Sequence, residues 1–263
     1  MMKLMLERFN VFYTYRFLLQ QLVEKDIKLK YRRSFLGYIW SILNPLMIMM
    51  IMVVVFSNMF RFEIVNYPVY LIIGQTMFNF VNESTSLSIN SIMDNAPLLK
   101  KTYVPKYIFT ISKVTSSLVN FLFALGAMLV VFLVCKVKFN LYFLFIPFIL
   151  LQVYAFSLGL GLFLAQAAVF FRDIQHIYGA IITAWMYLTP IFYPITALPE
   201  KIYSLVVTLN PMYFYITQFR TIVMDGKMPS YTLIMPGVII SVVALIIGAF
   251  AFGKTQDKFI LYI

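Results

Sequence analysis

The sequence has 263 residues, of which 62% are hydrophobic and 12% are charged, and its mean hydropathy is +0.88. A soluble domain carries about 25% charged residues and about 45–50% apolar ones. The composition therefore excludes a soluble enzyme, a secreted module and a disordered chain, and it predicts an integral membrane protein. The net charge of +11 favours contact with the anionic lipids of the cytoplasmic leaflet. We therefore expect a membrane surface, and not nucleic acid, as the partner of the basic residues.

The first predicted element is an amphipathic helix at the membrane surface, within residues 1–33. Apolar residues recur at helical spacing between Val11 and Leu29. The polar side carries Lys25, Lys28 and Lys30. Such a helix lies in the interface with its basic side toward the lipid head groups. The pattern fits a plain topological anchor as well as an anchor that also contacts a partner protein.

The end of this helix is a candidate site for a lipid phosphate. It reads Lys30-Tyr31-Arg32-Arg33. Arginine binds phosphate through two parallel N–H groups, and basic clusters beside a membrane span attract phosphate-bearing head groups.

Six largely uncharged stretches are long enough to cross the membrane, which takes about 20 apolar residues. The predicted spans are residues 34–60, 64–92, 107–135, 141–171, 174–198 and 228–253 of a single membrane domain, 1–263. Six crossings place both termini on one side, and 15 of the 21 Lys and Arg then fall on that side. Because basic residues favour the cytoplasm, the chain is predicted to lie in the plasma membrane with both termini cytoplasmic. Charge alone does not exclude a seventh crossing.

The second span carries a polar stripe. Its members are Gln75, Asn79, Asn82, Glu83, Ser86 and Asn90. At about 100° per residue they fall within an arc of about 80°, and they extend over about 22 Å. A stripe that includes a carboxylate faces protein or water rather than lipid. Helix–helix hydrogen bonding and the wall of a hydrophilic passage both explain it, and its length favours the passage.

Residues 94–106, after the second span, are predicted to form a short cytoplasmic helix bounded by prolines. Asp94 is a capping candidate, Pro97 is typical of a helix start and Pro105 ends the element. Its apolar residues Leu98, Leu99 and Val104 are expected to be exposed. An exposed apolar surface indicates docking with another protein, and a short interfacial turn is the alternative.

Two features mark the second half of the chain. Aromatic side chains are dense in residues 187–194 and 212–215, where they fit either an interfacial belt or rings that stack on sugars beside a passage. The apolar segment 202–219 is broken by Asn210-Pro211, and a proline inside a helix removes a hydrogen bond. Two short half-helices are therefore more natural there than one span.

Residues 248–255 match the phosphate-binding P-loop pattern letter for letter. A functional P-loop follows a strand and opens a helix, whereas these residues end an apolar span, so Lys254 is interpreted as an anchor reaching the interface. The chain has one cysteine, Cys135, and one histidine, His176. A metal site and a Ser-His-Asp triad are therefore not expected.

Several blocks of the sequence resemble the type-2 ABC exporter permeases that move cell-surface polysaccharides. The first is Lys30–Gly37, followed by Trp40 and Leu43-Asn44-Pro45-Leu46. The later blocks are Phe170–Ile174, Pro190–Pro194, and Leu209-Asn210-Pro211-Met212 with Arg220 beyond it. Each block is weak alone, but together they cover nearly the whole chain in the family's order.

The resemblance implies an all-α membrane protein with six transmembrane helices, an N-terminal amphipathic interface helix and a re-entrant helical pair between spans 5 and 6, within 202–225. It also implies a homodimer joined to two copies of an ATPase subunit, which hold the ATP and Mg. The chain itself would carry no cofactor and hydrolyse nothing. The expected cargo is a lipid-linked polysaccharide, and the short chain and short outer loops favour O-antigen over teichoic acid or capsule.

From the residue patterns and the resemblance together, we assign expected roles to four groups of residues. The substrate path would be lined by Trp40, Asn44, Gln75, Asn79, Asn82, Glu83, Ser86, Tyr187, Phe192 and Tyr193. The diphosphate of the lipid would be received by Tyr31, Arg32 and Arg33. Coupling to the ATPase would use Asp94, Pro97, Leu98, Leu99, Lys100, Lys101, Tyr103 and Pro105. An outer gate would include Asn210, Pro211, Tyr213 and Arg220.

Two other functions are compatible with a membrane protein of this composition. A lipid-linked sugar or acyl transferase needs carboxylates or a histidine clustered at one membrane face, and the ten acidic residues are scattered instead. An exporter of the same fold could also carry a drug or a small lipid.

Overall fold

The computed structural model describes residues 13–32, 36–59 and 64–263, and within these ranges it is helical with no β-strand. The α-helices are α1 Arg16–Tyr31, α2 Trp40–Met59, α3 Tyr67–Ile89, α4 Ala96–Lys101, α5 Tyr107–Val134, α6 Ile146–Phe170, α7 Ile174–Leu188, α8 Glu200–Leu209, α9 Pro211–Val223 and α10 Tyr231–Thr255. Short 3₁₀ turns precede α2, α4, α6 and α8 and follow α10. The predicted all-α class is confirmed.

Among the residues that the structure describes, four helical stretches are long and apolar enough to cross a membrane. They are Gly37–Phe56, Tyr107–Val134, Leu141–Phe170 and Tyr231–Leu261, and each falls on one of the six predicted spans. The other two predicted spans correspond to α3, whose 23 residues include the polar stripe, and to α7, which has 15 residues. Six crossings would therefore require α3, which is less apolar than the four long stretches, and α7, which is shorter than they are.

Helix α3 is the centre of the bundle. It contacts α2, α5, α6, α7 and α9, and most of its side chains are buried, among them Ile72, Ile73 and Met77. Small and hydroxyl side chains on its second half allow other helices to approach closely. For example, a Cβ added at Gly161 of α6 would lie 2.7 Å from the hydroxyl oxygen of Ser88. A polar helix is thus enclosed by apolar ones.

Helix α1 lies along α5 and is fixed to it by charge. The Lys113 ammonium lies 2.9 Å from the Asp26 carboxylate, which also accepts a hydrogen bond from Ser116 at 3.4 Å. Of the predicted interface segment 1–33, residues 1–12 and 33 lie outside the described residues. The described part places the basic C-terminal turn of α1, with Lys28 and Lys30, next to the transmembrane helices.

The short helix α4 and the C-terminal 3₁₀ turn mark one end of the bundle, which we call the α4 end. An apolar cluster that includes Ile92, Leu99, Phe109, Phe252 and Phe259 fills this end. Leu99 is 6% exposed, contrary to the expectation that it faces the cytoplasm. Consecutive residues of a helix point about 100° apart, so Leu98 faces outward while Leu99 faces the cluster.

The predicted fifth span, 174–198, is only partly helical. Helix α7 ends at Leu188, and the chain then runs irregularly to a 3₁₀ turn at Ile195–Ala197. Pro190 and Pro194 lie in this stretch and have no N–H to continue a helix. The broken segment 202–225 forms two helices, α8 and α9, that meet at Asn210.

Helices α6 and α10 pack through glycine. A Cβ added at Gly248 of α10 would overlap the carbonyl oxygen of Gly159, and one added at Gly159 would overlap the backbone of Ala244. Small residues permit this close approach of membrane helices. Residues 248–255 lie within α10, a helical geometry that a phosphate-binding loop does not have.

We expect Gly248→Ala to force α6 and α10 apart and to lower the free energy of unfolding by about 1–3 kcal/mol, the usual effect of overpacking. Gly253→Ala is the matched control, because it lies on the same helix and its added Cβ would meet nothing within 4 Å. The control should gain a few tenths to about 1 kcal/mol from better helix propensity. Thermal unfolding of the purified variants in detergent measures both, and equal melting temperatures for the two would contradict the glycine contact.

Candidate functional site

A polar groove of about 380 Å³ opens between α2, α3 and α5, beside the end of α1. We call it the polar groove. Its lining residues are Lys30, Trp40, Ser41, Asn44, Pro45, Thr76, Asn79, Phe80, Glu83, Ser117, Asn120, Phe121 and Ala124. Four of the ten predicted path residues, Trp40, Asn44, Asn79 and Glu83, are therefore brought together on one surface.

Glu83 is the charged centre of the polar groove. Its Oε1 atom lies 2.7 Å from the Lys30 ammonium of α1 and accepts a hydrogen bond from Asn120 of α5 at 2.8 Å. Carboxylates within membrane helices are tolerated where they are paired or face water, and Glu83 meets both conditions. One carboxylate thus ties α1, α3 and α5 together at the groove.

The chemistry of the polar groove suits a hydroxyl-rich ligand. Trp40 offers a flat ring that is 40% exposed, and Asn44 and Asn79 add exposed amides that donate and accept hydrogen bonds. Glu83 has an acceptor oxygen, Oε2, beyond the one used by Lys30. An aromatic ring can stack on the face of a sugar, while amides and a carboxylate on the same wall form hydrogen bonds with its hydroxyl groups.

The other members of the polar stripe do not line this groove. Asn82 accepts a hydrogen bond from Ser86 at 3.2 Å, and Asn90 donates one to Gln175 of α7 at 3.3 Å. Gln75 is 5% exposed, and neither its side-chain nitrogen nor its oxygen has a hydrogen-bond partner. The stripe is therefore divided between the polar groove, the α7 contact and a buried position.

At the opposite end of the bundle, which we call the α8 end, the irregular segment 189–194 is held by Arg220. This side chain is 8% exposed. It donates hydrogen bonds to the carbonyl oxygens of Tyr70, Pro190 and Ile191 at 2.7–3.2 Å. Its guanidinium also lies 3.3 Å from the centre of the Tyr70 ring. Within the described ranges no carboxylate pairs with Arg220. The carbonyl dipoles and the face of the Tyr70 ring therefore stabilise its buried positive charge.

Two tyrosines of α3 complete this contact. Tyr67 donates to the Phe192 carbonyl at 2.8 Å, and Tyr70 donates to the Tyr193 carbonyl at 2.8 Å. The carbonyls of residues 190–193 belong to a stretch that forms no helix, and buried carbonyls need such partners. The irregular segment 189–194 is therefore a fixed part of the structure.

Asn210 forms the joint between α8 and α9. Its side-chain oxygen accepts from the Met212 N–H at 3.0 Å, which caps α9, and from the indole N–H of Trp185 at 2.8 Å. Its amide nitrogen donates to Thr189 at 3.0 Å. Pro211 follows as the first residue of α9. Proline is favoured at this position because the N–H that it lacks would have no partner within the helix. The predicted gate residue Asn210 thus links three elements, while Tyr213 is half-buried on α9.

The predicted path aromatics of residues 187–193 lie away from the polar groove. Phe192 is buried and stacks on Phe56 of α2 with ring centroids 5.3 Å apart. Tyr193 is half-buried and donates to the Tyr187 carbonyl at 2.6 Å, and the Tyr187 side chain is exposed. They belong to the α8 end because Arg220 and the two tyrosines hold their backbone there.

The predicted coupling residues present a mostly exposed surface at the α4 end. Asp94, Pro97, Leu98, Lys100, Lys101 and Tyr103 are exposed, Pro105 is half-buried and Leu99 is buried. Tyr103 is 97% exposed, although its backbone oxygen accepts a hydrogen bond from Tyr15 at 3.0 Å. Of the predicted phosphate-binding residues, Arg32 is exposed, Arg33 lies outside the described residues, and the Tyr31 side chain is not described.

Residues 18–224 match the family described as ABC-2 type transporter, and this range covers most of the chain. The chain belongs to the ABC-2 type transporter family. It is thus a multi-pass transport permease rather than an enzyme, and membership implies an ATP-binding partner subunit.

Curated relatives match over almost the full length. The O-antigen export system permease protein RfbA of Myxococcus xanthus is 32% identical over 94% of this chain and 95% of its own. A protein of the same name from Klebsiella pneumoniae is 30% identical over 96% of both chains. The capsule polysaccharide export inner-membrane protein CtrC of Neisseria meningitidis is 24% identical over 76% of both.

Sequence reasoning did not identify Lys30 and Asn120 as groove residues. A signal for Asn120 was present, because Ser116, Ser117 and Asn120 repeat at helical spacing inside an otherwise apolar span. Lys30 was interpreted only as part of a basic helix end. Its partner is 53 positions away, a separation that periodicity does not bridge.

We expect Arg220→Lys to destabilise the α8 end, because one ammonium cannot satisfy the three carbonyls that the guanidinium reaches. The free energy of unfolding should fall by about 2–3 kcal/mol, the cost of leaving buried carbonyls unpaired. Lys201→Arg, an exposed position on α8, is the control. Melting temperature and chymotrypsin cleavage within residues 187–193 measure the effect, and an Arg220→Lys protein as stable and protease-resistant as the control would refute the clamp.

Proposed function

We propose that this chain is the transmembrane subunit of an ATP-driven exporter that moves a lipid-linked cell-surface polysaccharide, with O-antigen as the cargo, across the plasma membrane. The relatives from Myxococcus xanthus and Klebsiella pneumoniae, which are named O-antigen export permeases, support this cargo. The observation that carries the proposal is the polar groove, since an uncharged lipid or drug has no need of an aromatic ring, two amides and a carboxylate on one wall of an apolar bundle.

The proposed membrane arrangement has six crossings. Helices α3 and α7 join the four long apolar helices, and α8 and α9 form a re-entrant pair on the outer side. Both termini and α4 then lie in the cytoplasm, in agreement with the distribution of Lys and Arg. The polar helix α3 is compatible with a crossing because its neighbours shield it from lipid on most sides.

The proposed assembly is a homodimer with two ATPase subunits, which bind the ATP and Mg. The exposed surface of α4 and Tyr103 would receive the motion of the ATPases and pass it to α3 and α5. This route has physical support, because the apolar cluster at the α4 end packs Leu99 of α4 together with Phe109 of α5. Packed side chains transmit displacement because the interior is close-packed.

The polar groove would hold successive sugar units while the diphosphate of the carrier lipid engages the basic end of α1. Arg32 is exposed there, and Lys30 sits at the groove itself. Capsular polysaccharide is the second candidate cargo, because the relative from Neisseria meningitidis carries that name, at lower identity and coverage.

The test is export by groove variants in cells that lack the chromosomal copy. Loss of a neutral hydrogen bond is worth about 1 kcal/mol and loss of one to a charged group about 1.5 kcal/mol or more, so at equal protein level Asn79→Ala should lower surface polysaccharide about fivefold and Glu83→Gln at least about tenfold. Thr183→Val is the control, since Thr183 is an exposed polar residue of α7 outside the groove. Immunoblots of surface polymer give the export, and co-purification with the ATPase subunit gives the assembly.

Normal export by both groove variants would contradict the role of the groove. Loss of assembly in either variant would show a structural effect instead, and in that case Trp40→Phe, which keeps an aromatic ring but has no indole N–H, decides the point. A strain that exports capsule rather than O-antigen in this assay would overturn the proposed cargo and leave the groove assignment standing.

A further inference from the structure

A second pocket, of about 300 Å³, lies between three loops at the α8 end. We call it the three-loop pocket. It is lined by Asn66 and Val69 at the start of α3, by Lys136, Val137 and Lys138 after α5, and by Val223, Met224, Asp225 and Gly226 after α9. None of these residues belongs to the polar groove or to the predicted path, coupling or gate residues.

The loops that form this pocket are tight turns with unusual backbone. Asn66, Lys136 and Gly226 have φ values of 53°, 54° and 65°, and the one other left-handed residue in the described ranges is Gly37. Two of these three carry a side chain, for which this conformation is uncommon. The Asn140 amide donates to the Ile222 carbonyl at 3.1 Å and so joins the second and third loops. The pocket is therefore a built cavity, with its three loops held in set conformations.

The charges in the three-loop pocket are not paired with one another. Lys136, Lys138 and Asp225 are all exposed, and no ion pair within 4.0 Å joins any of them to another described residue. A cavity with two ammonium groups and one carboxylate that do not neutralise each other suits a ligand that carries both a phosphate and an amine. Ammonium groups bind phosphate through charge-assisted hydrogen bonds.

Exposed apolar residues flank the three loops in sequence, and we call them the apolar rim. They are Val65, Leu133, Val134 and Leu141, each between 66% and 83% exposed. Apolar side chains exposed on a membrane protein are suited to contact with lipid acyl chains. A free sugar or a polysaccharide would gain nothing from this rim, whereas a phospholipid would use both the charged cavity and the apolar rim.

We propose that the three-loop pocket binds one phospholipid through its phosphoethanolamine head group. The phosphate contacts Lys136 and Lys138, the primary amine contacts Asp225, and the acyl chains lie against Leu133 and Val134. The lipid would act as a structural ligand that fastens the end of α5 to the loop after α9. This inference is independent of the proposed export function.

The experiment measures lipid binding to the purified full chain by native mass spectrometry. Phosphatidylethanolamine, phosphatidylcholine and phosphatidylglycerol with identical acyl chains are titrated into delipidated protein in mild detergent. The natural sequence should bind phosphatidylethanolamine most tightly, because only that lipid offers both a phosphate and an amine with N–H donors. Each exposed ion pair is worth up to about 1 kcal/mol, so the double variant Lys136→Gln/Lys138→Gln should bind about tenfold more weakly.

Two further variants test the contact to the amine and the specificity for the lysines of the pocket. Asp225→Asn should lose the preference for phosphatidylethanolamine over phosphatidylglycerol, because it removes the negative charge that attracts the amine. Lys201→Gln on α8 removes a lysine outside the pocket and should change no dissociation constant. Equal affinities in the natural and double-lysine proteins would overturn the proposal, and so would tighter binding of phosphatidylglycerol than of phosphatidylethanolamine by the natural protein.

A last arm distinguishes a lipid from free phosphate. Inorganic phosphate and soluble phosphoethanolamine are added to the delipidated protein, and the melting temperature is followed. The lipid should raise it further than either soluble compound at the same concentration, because a ligand of higher affinity stabilises the folded protein more and only the lipid contacts the apolar rim. Equal stabilisation by inorganic phosphate would contradict lipid binding.

Discussion

A carboxylate inside an apolar helix bundle must be neutralised or hydrated, and this constraint organises the chain around Glu83. The Lys30 ammonium and the Asn120 amide meet its Oε1 atom at 2.7 and 2.8 Å. Because these groups come from α1 and α5, the charge fixes a surface helix to two membrane helices and leaves a polar groove beside them. The groove lies where polar side chains of α2, α3 and α5 face one another and the three helices do not pack closely.

Much of this architecture could be predicted from the sequence, because membranes impose simple rules on composition. Four predicted spans coincide with long apolar helices. Short sequence blocks such as Leu209-Asn210-Pro211-Met212 indicated the transporter family. The face of α3 that bears Asn79 and Glu83 follows from helical periodicity. Asn210-Pro211 indicated a break between two helices, whereas the predicted fifth span, 174–198, extends beyond the end of α7 at Leu188.

The remainder depends on partners that are distant in the chain, and periodicity carries no information about them. Glu83 meets Lys30 across 53 positions, and Arg220 reaches the Tyr70 carbonyl across 150. A stripe on a helix tells which side is polar, but neighbouring helices decide whether Gln75 is buried or Asn79 exposed. Arg220, Tyr67 and Tyr70 hold the backbone of residues 190–193 at the α8 end, and no sequence pattern indicates these contacts.

The central claim is that water and cargo share the polar groove during transport, and cysteine labelling tests it most directly. In a Cys135→Ser background, Asn79→Cys places a thiol in the groove and Val54→Cys places one on an exposed apolar face of α2. A charged, membrane-impermeant reagent reacts only with a cysteine that water reaches, because the nucleophile is the thiolate, which forms in a hydrated environment. We predict that Asn79→Cys is labelled during ATP turnover, that labelling lowers its export below that of the same unlabelled variant, and that Val54→Cys is not labelled. An unlabelled Asn79→Cys protein, or one whose export is unchanged by labelling, would contradict the account.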